Sequence, residues 1–155
     1  GFPVLIVIHR KSSESVLPEL LADRASIPVK EVEDKEHMQP GQIYVAPADY
    51  HTLVEQDGSL SLDCSEKVNW SRPSIDVTFE TAADAFGAGV VGVLLSGANH
   101  DGVVGLRHIQ ELGGKAWVQD PATAQVSYMP QGAVDGLTPD RVLEPAALAG
   151  AINQL

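Results

Sequence analysis

The sequence predicts an α/β fold with parallel βαβ units and an appended antiparallel hairpin. Three observations predict it. Uninterrupted apolar runs at 3–8 (PVLIVI) and 90–95 (VVGVLL) read as strands buried on both faces of a parallel sheet. Segments with helical apolar spacing alternate with such runs. Asp57-Gly58 joins two extended stretches, and both turn positions tolerate positive φ, which favours a hairpin.

The elements follow in order. Residues 3–8 form a strand that ends at His9. Ser12 or Ser13 is expected to cap a helix with Val16, Leu17, Leu20 and Leu21 on one face. Residues 27–32 predict a short strand, 33–39 a charged loop, and 42–46 a strand stopped by Pro47. Residues 52–55 and 59–62 flank the hairpin turn. Arg72-Pro73-Ser74 opens a helix with Ile75, Phe79, Ala82 and Phe86 on one face and Asp76, Glu80 and Asp84 off it. Gly87 terminates that helix. Residues 90–95 are the central strand, 103–112 the next helix, and 116–119 a further strand. Pro145 starts a last helix with Leu148, Ile152 and Leu155 on one side.

The bulk numbers narrow the class. A chain of 155 residues suits one domain, taken as 1–155. Apolar residues make up 44% and aromatics 5%, so the core is aliphatic. The net charge of −11 argues against nucleic acid and anionic membranes, because repulsion must first be overcome. The one cysteine, Cys64, has no intramolecular partner and is expected as a small side chain in the strand at 60–64, in a reducing cytoplasm. No apolar run is long enough to span a membrane. The sequence opens almost inside a strand, at Gly1-Phe2-Pro3, and the domain is therefore expected to be N-terminally incomplete.

Two glycine patterns are decoys. GAGVVG at 87–92 has dinucleotide-fingerprint spacing but follows a helix and precedes a strand, the reverse of what a pyrophosphate needs. The glycines at 97 and 102 are followed by Val103-Val104, where a phosphate loop requires lysine and a hydroxyl. No histidine pair has helical metal-ligand spacing, so no metal and no cofactor is expected. His37 and His108 read as solvated, whereas His51 is a candidate for the rim of a site.

His9 and Asp101 carry the chemistry. Side chains just beyond the carboxyl ends of parallel strands line the ligand crevice. An imidazole there needs one nitrogen held by a buried carboxylate, expected to be Nδ1, so that Nε2 can take a proton from a hydroxyl. Taken singly, His9 is also readable as a strand-end histidine and Asp101 as the N-cap of the helix at 103–112. The chain has no G-x-S-x-G elbow. Ser96 faces the same edge but is expected to bond its own loop, so the nucleophile is placed upstream of Gly1.

Several segments resemble the catalytic domain of the bacterial chemotaxis protein-glutamate methylesterases. PVLIVIH at 3–9 is similar to the family strand that ends in its histidine. EVED at 31–34 and PGQIYVAPADYH at 40–51 resemble E-x-x-D followed by P-G-x-x-Y-[IV]-A-P-x-D-x-H. RPSID at 72–76 resembles RPS[IV]D, and SGANHDG at 96–102 resembles [ST]-G-M-G-x-D-G. Residues 119–130 resemble a segment of small residues ending in Met-Pro.

The resemblance implies a doubly wound, mostly parallel sheet with helices on both faces and a hairpin. It implies hydrolysis of glutamate γ-methyl esters on chemoreceptors, and leaves room for glutamine deamidation. His9 takes the general-base role and Asp101 the orienting role. Ser96, Gly97, Ala98, Asn99, His51 and Met129 are the expected substrate or oxyanion rim. Ala98 and Asn99 stand where the family pattern has methionine and glycine. The implied partners are methylated chemoreceptor helices and, where present, a separate receiver or regulatory domain; none is contained in 1–155. A catalytically silent module that binds a receptor or signalling partner is the other reading.

Overall fold

A computed structural model describes residues 1–11 and 16–155. The helix-capping expectation for Ser12 and Ser13 therefore lies outside the described residues.

The parallel strands fall into two three-stranded sheets. In the first, β1 (Val4–Ile6) and β2 (Val29–Glu31) both pair in parallel with β3 (Ile43–Val45). In the second, β6 (Val91–Leu94) pairs with β7 (Lys115–Gln119), which pairs with β8 (Arg141–Leu143), again in parallel. Between them in sequence, β4 (His51–Val54) and β5 (Leu60–Asp63) form the antiparallel hairpin around Asp57-Gly58. β1 is shorter than the apolar run suggests: Val7, Ile8 and His9 continue past the paired residues. Cys64 lies one residue beyond β5 and is exposed, not inside the strand as expected.

Helices cover both faces of the second sheet, as the alternating side chains of β6 and β7 require. Leu94, Ala116 and Val118 pack with Leu106 and Ile109 of α3 (Val103–Glu111) and with Met129 and Ala133 of α4 (Tyr128–Gly136). Ile75 and Phe79 of α2 (Ile75–Phe86) close this cluster. On the other face, Trp117 meets Leu148 and Ala151 of α5 (Pro145–Ile152), with Val91 and Val93 beside them. α1 (Leu17–Ala22) packs near β2.

Two expectations about helix faces need correction. Leu155 lies past the end of α5 and is half exposed, because the chain turns at Asn153 before reaching it. Phe86 is also largely exposed, whereas α2 buries Ala83 three residues earlier. Asp76, off the apolar face of α2, is nonetheless buried against α3, where its Oδ1 accepts the Gly105 N–H at 2.7 Å. α4 and β8 were not expected from sequence. Among the described residues no helix is long and apolar enough to cross a membrane.

Candidate active site

His9 follows β1, and Asp101 lies in the loop after β6. Arg10 pins the chain beside His9, donating from one guanidinium nitrogen to Glu31 Oε2 at 2.8 Å and to the Ala46 carbonyl at 2.9 Å. Gly102 has φ +97°, and a Cβ there would lie 2.6 Å from Leu94 Cδ1 and 2.9 Å from Ile75 Cγ2. A glycine is thus required for the loop to turn closely over β6 and α2. The two segments bring His9 Nε2 to 2.6 Å from Asp101 Oδ2.

Asp101 is fully buried and accepts five hydrogen bonds. Oδ2 takes His9 Nε2–H and the Ile75 N–H, each at 2.6 Å. Oδ1 takes the Ser74 hydroxyl at 2.8 Å, Asn69 Nδ2 at 3.0 Å and the Asp76 N–H at 3.1 Å. Two of these donors are the first backbone N–H groups of α2, which have no partner inside their own helix. The carboxylate therefore caps α2 across the chain, and the helix N-terminus favours its negative charge. It is not the cap of α3; Gly102 occupies that position. Burial opposes the charge, but the bonds from His9, Asn69, Ile75 and Asp76 outweigh it and hold the group down at about 2.

The ring orientation differs from the one expected. Nε2, not Nδ1, faces the carboxylate. With Asp101 ionised, Nε2 carries the shared proton and Nδ1 is the acceptor left for chemistry. His9 retains 26% side-chain exposure, so the ring is accessible from one side.

The other expected rim residues divide. Ser96 is exposed, yet its hydroxyl bonds the Val126 carbonyl at 3.1 Å and accepts the Val126 N–H at 2.9 Å. Gly97 continues this docking: its N–H reaches Val126 and its carbonyl accepts the Met129 N–H. A Cβ at Gly97 would lie 2.5 Å from Met129 Cε, and Met129 is buried beneath it. Ala98 is exposed. Asn99 Oδ1 accepts the Asp101 N–H at 3.0 Å, setting the loop that presents the carboxylate.

His51 is not at the rim. It is buried, its Nε2–H donating to the Glu66 carbonyl at 2.8 Å and its Nδ1 accepting the Ser74 N–H at 3.1 Å. Both ring nitrogens are occupied in joining the hairpin to the start of α2. Asp34 is structural as well, its Oδ1 accepting the Leu62 N–H at 2.9 Å. No group of three or more His, Cys, Asp or Glu among the described residues could hold a metal ion.

Sequence reasoning missed Asn69, Ser74 and Asp76 as members of this constellation. Asn69 Nδ2 donates to Asp76 Oδ2 at 2.7 Å as well as to Asp101. Burial, together with the nearby Asp101 charge, raises Asp76 above the ordinary carboxylate value, against the opposing bonds from Gly105 and Asn69. Ser74 and Asp76 lie in the RPSID segment, so a signal was present; Asn69 lies in none.

Comparison with known proteins gives a consistent result. The family model for CheB methylesterase matches residues 1–152. A Leptospira interrogans protein named as a protein-glutamate methylesterase/protein-glutamine glutaminase is 44% identical over 150 residues, covering 96% of this chain and 78% of that protein. The protein-glutamate methylesterase FrzG of Myxococcus xanthus is 36% identical, covering 99% of this chain and 47% of that protein. The crystal structure of the Thermotoga maritima CheB methylesterase catalytic domain superposes with a TM-score of 0.92 at 30% identity, covering 98% of this chain and 82% of that one. Sequence match and fold agree along nearly the whole length, and the chain belongs to the CheB methylesterase family.

Proposed function

We propose that this domain hydrolyses glutamate γ-methyl esters on methylated chemoreceptors by Ser-His-Asp acyl transfer. His9 is the general base through Nδ1, and Asp101 fixes the ring and stabilises the imidazolium. The carrying observation is the 2.6 Å contact between His9 Nε2 and a buried carboxylate held by four further donors. Such a carboxylate stays charged as the ring gains its second proton, which is what the step requires.

The nucleophile is a serine supplied by residues upstream of Gly1. Ser96 is unsuited to the role because its hydroxyl is committed to Val126. Within the described residues, β1 and β6 are each paired along one edge only, and their ends carry His9 and Asp101. A strand inserted between them would deliver a hydroxyl to the same rim, beside Nδ1.

The reaction then runs in two steps. Nδ1 takes the serine proton as the oxygen attacks the ester carbonyl. The proton passes to the leaving methanol, and an acyl-enzyme remains. Water, deprotonated by the same nitrogen, releases the free glutamate. The stretch from Ser96 to Asn99, with Ser96 and Ala98 exposed, is the expected substrate rim, and Ala98 gives it a small side chain.

The test is methanol release from a methylated receptor by the full-length protein. Turnover abolished by His9→Ala with the fold intact supports the assignment; undiminished turnover removes it. The other reading, a silent receptor-binding module, predicts receptor binding with no methanol released by the unmutated protein.

A further inference from the structure

We infer that Asn69 is a positioning residue for the His9–Asp101 pair, holding Asp101 in place beside a second buried carboxylate, Asp76. The inference rests on the methylesterase reading above, because it assigns how that reaction's orienting group is kept in register.

The geometry is specific. A single amide nitrogen, Asn69 Nδ2, donates to Asp101 Oδ1 at 3.0 Å and to Asp76 Oδ2 at 2.7 Å. Both carboxyl groups are buried, at 0% and 5% exposure. The backbone N–H of Asp76 also donates to Asp101 Oδ1, which keeps the two residues adjacent. Two carboxylates this close repel when both are charged, and a shared donor offsets that repulsion while fixing their spacing. Without it, Oδ1 loses one of its three donors and the repulsion from Asp76 is no longer offset, which shifts the carboxylate and with it the Oδ2 that holds His9.

The backbone gives an independent indication. Val68 and Ser71 exchange both backbone hydrogen bonds, at 3.1 and 2.9 Å, around a two-residue turn. Its central residues, Asn69 and Trp70, have φ of +51° and +63°. Asparagine tolerates this region, but tryptophan does not, and glycine would serve better. Trp70 is 94% exposed, so packing does not compensate for the strain. The turn is instead anchored through the Asn69 side chain on the two carboxylates. Strain retained next to a reactive pair is the pattern expected of a built positioning device.

Three variants of the full-length protein test this. Asn69→Gly keeps the left-handed turn and removes the amide. Asn69→Asp keeps a residue tolerant of the turn and replaces the donor with a third carboxylate. In Asn69→Gly/Asp76→Asn the second carboxylate becomes neutral. For Asn69→Gly, kcat on a methylated receptor is expected to fall about tenfold to a hundredfold, as for loss of a hydrogen bond to a charged group, with KM within about twofold. Asn69→Asp should lose at least as much. The double variant should recover part of the loss, because the repulsion is gone.

The proton NMR signal of the His9 Nε2–H is the second readout. It should move in Asn69→Gly and return towards its original position in the double variant. Unchanged kcat and an unmoved resonance would overturn the inference, as would a loss shared with KM and stability that the double variant fails to restore. If the unmutated protein releases no methanol, the methylesterase reading fails, and the resonance still decides the role of Asn69.

Discussion

His9 Nε2 and Asp101 Oδ2 stand 2.6 Å apart although 92 residues separate them in sequence. The contact joins the end of one parallel sheet to the end of the other, and the loss of either partner has different consequences for fold and chemistry.

His9→Ala should abolish methanol release while leaving the domain folded. Asp101 would keep its bonds from Ser74, Ile75, Asp76 and Asn69, so its charge stays compensated. One lost charge-assisted bond costs about 1.5–3 kcal/mol. Circular dichroism should show an unchanged spectrum and a midpoint lowered by several degrees. A collapsed spectrum would mean that His9 is chiefly structural.

Asp101→Asn should change the acid limb of stability as well as activity. Asp101 is depressed from 3.8 to about 2, so its contribution is present above the unfolded value and is lost as pH falls through the folded one. Its size is roughly 2 kcal/mol, from about 1.4 kcal/mol per pH unit. Chemical denaturation from pH 5 down to pH 2 should therefore lose less stability in the variant than in the parent. Asp76 acts with the opposite sign: its value is raised, so its charge opposes folding at neutral pH and protonation relieves that cost.

The sequence made the two ends of this contact legible because each follows an apolar run, and that pattern predicts a sheet edge. It also set Ser96 aside as the nucleophile, and the Ser96 hydroxyl is bonded to Val126. The nitrogen that faces Asp101 was not legible, since ring orientation depends on how far the chain runs past β1 before His9. His51 looked like a rim residue because it follows a turn; only the packed hairpin shows both its nitrogens engaged by backbone. Asp76 was placed only off the apolar face, because helical periodicity cannot report a carboxylate buried on backbone amides. α4 was missed because the segment is short and carries Pro130 and glycines, and tertiary contact at Met129 and Ala133 decides its state.

Gly97→Ala should destabilise through Met129. The added Cβ would meet Met129 Cε at 2.5 Å and Sδ at 2.7 Å. Those atoms end a flexible side chain, but Met129 is buried among Val118, Ala133 and their neighbours and has little room to yield. Overpacking of this kind costs about 1–3 kcal/mol. Met129→Ala alone leaves a cavity, and the pair should cost less than the sum of the two. A double-mutant cycle in urea measures this; strict additivity would mean that the loop moves independently of Met129.

Trp70→Gly should raise stability. A bulky residue in the left-handed region costs about 1–3 kcal/mol, and Trp70 has φ +63°. Its side chain is 94% exposed, so removing it forfeits almost no burial. Glycine brings back about 0.5–1 kcal/mol of chain entropy against folding, which leaves a net gain of about 1 kcal/mol. Trp70→Ala keeps the strained backbone and should show no such gain. Thermal unfolding of both variants separates the causes: a rise of a few degrees confined to glycine locates the cost in the backbone, whereas an equal rise in both would locate it in the exposed indole.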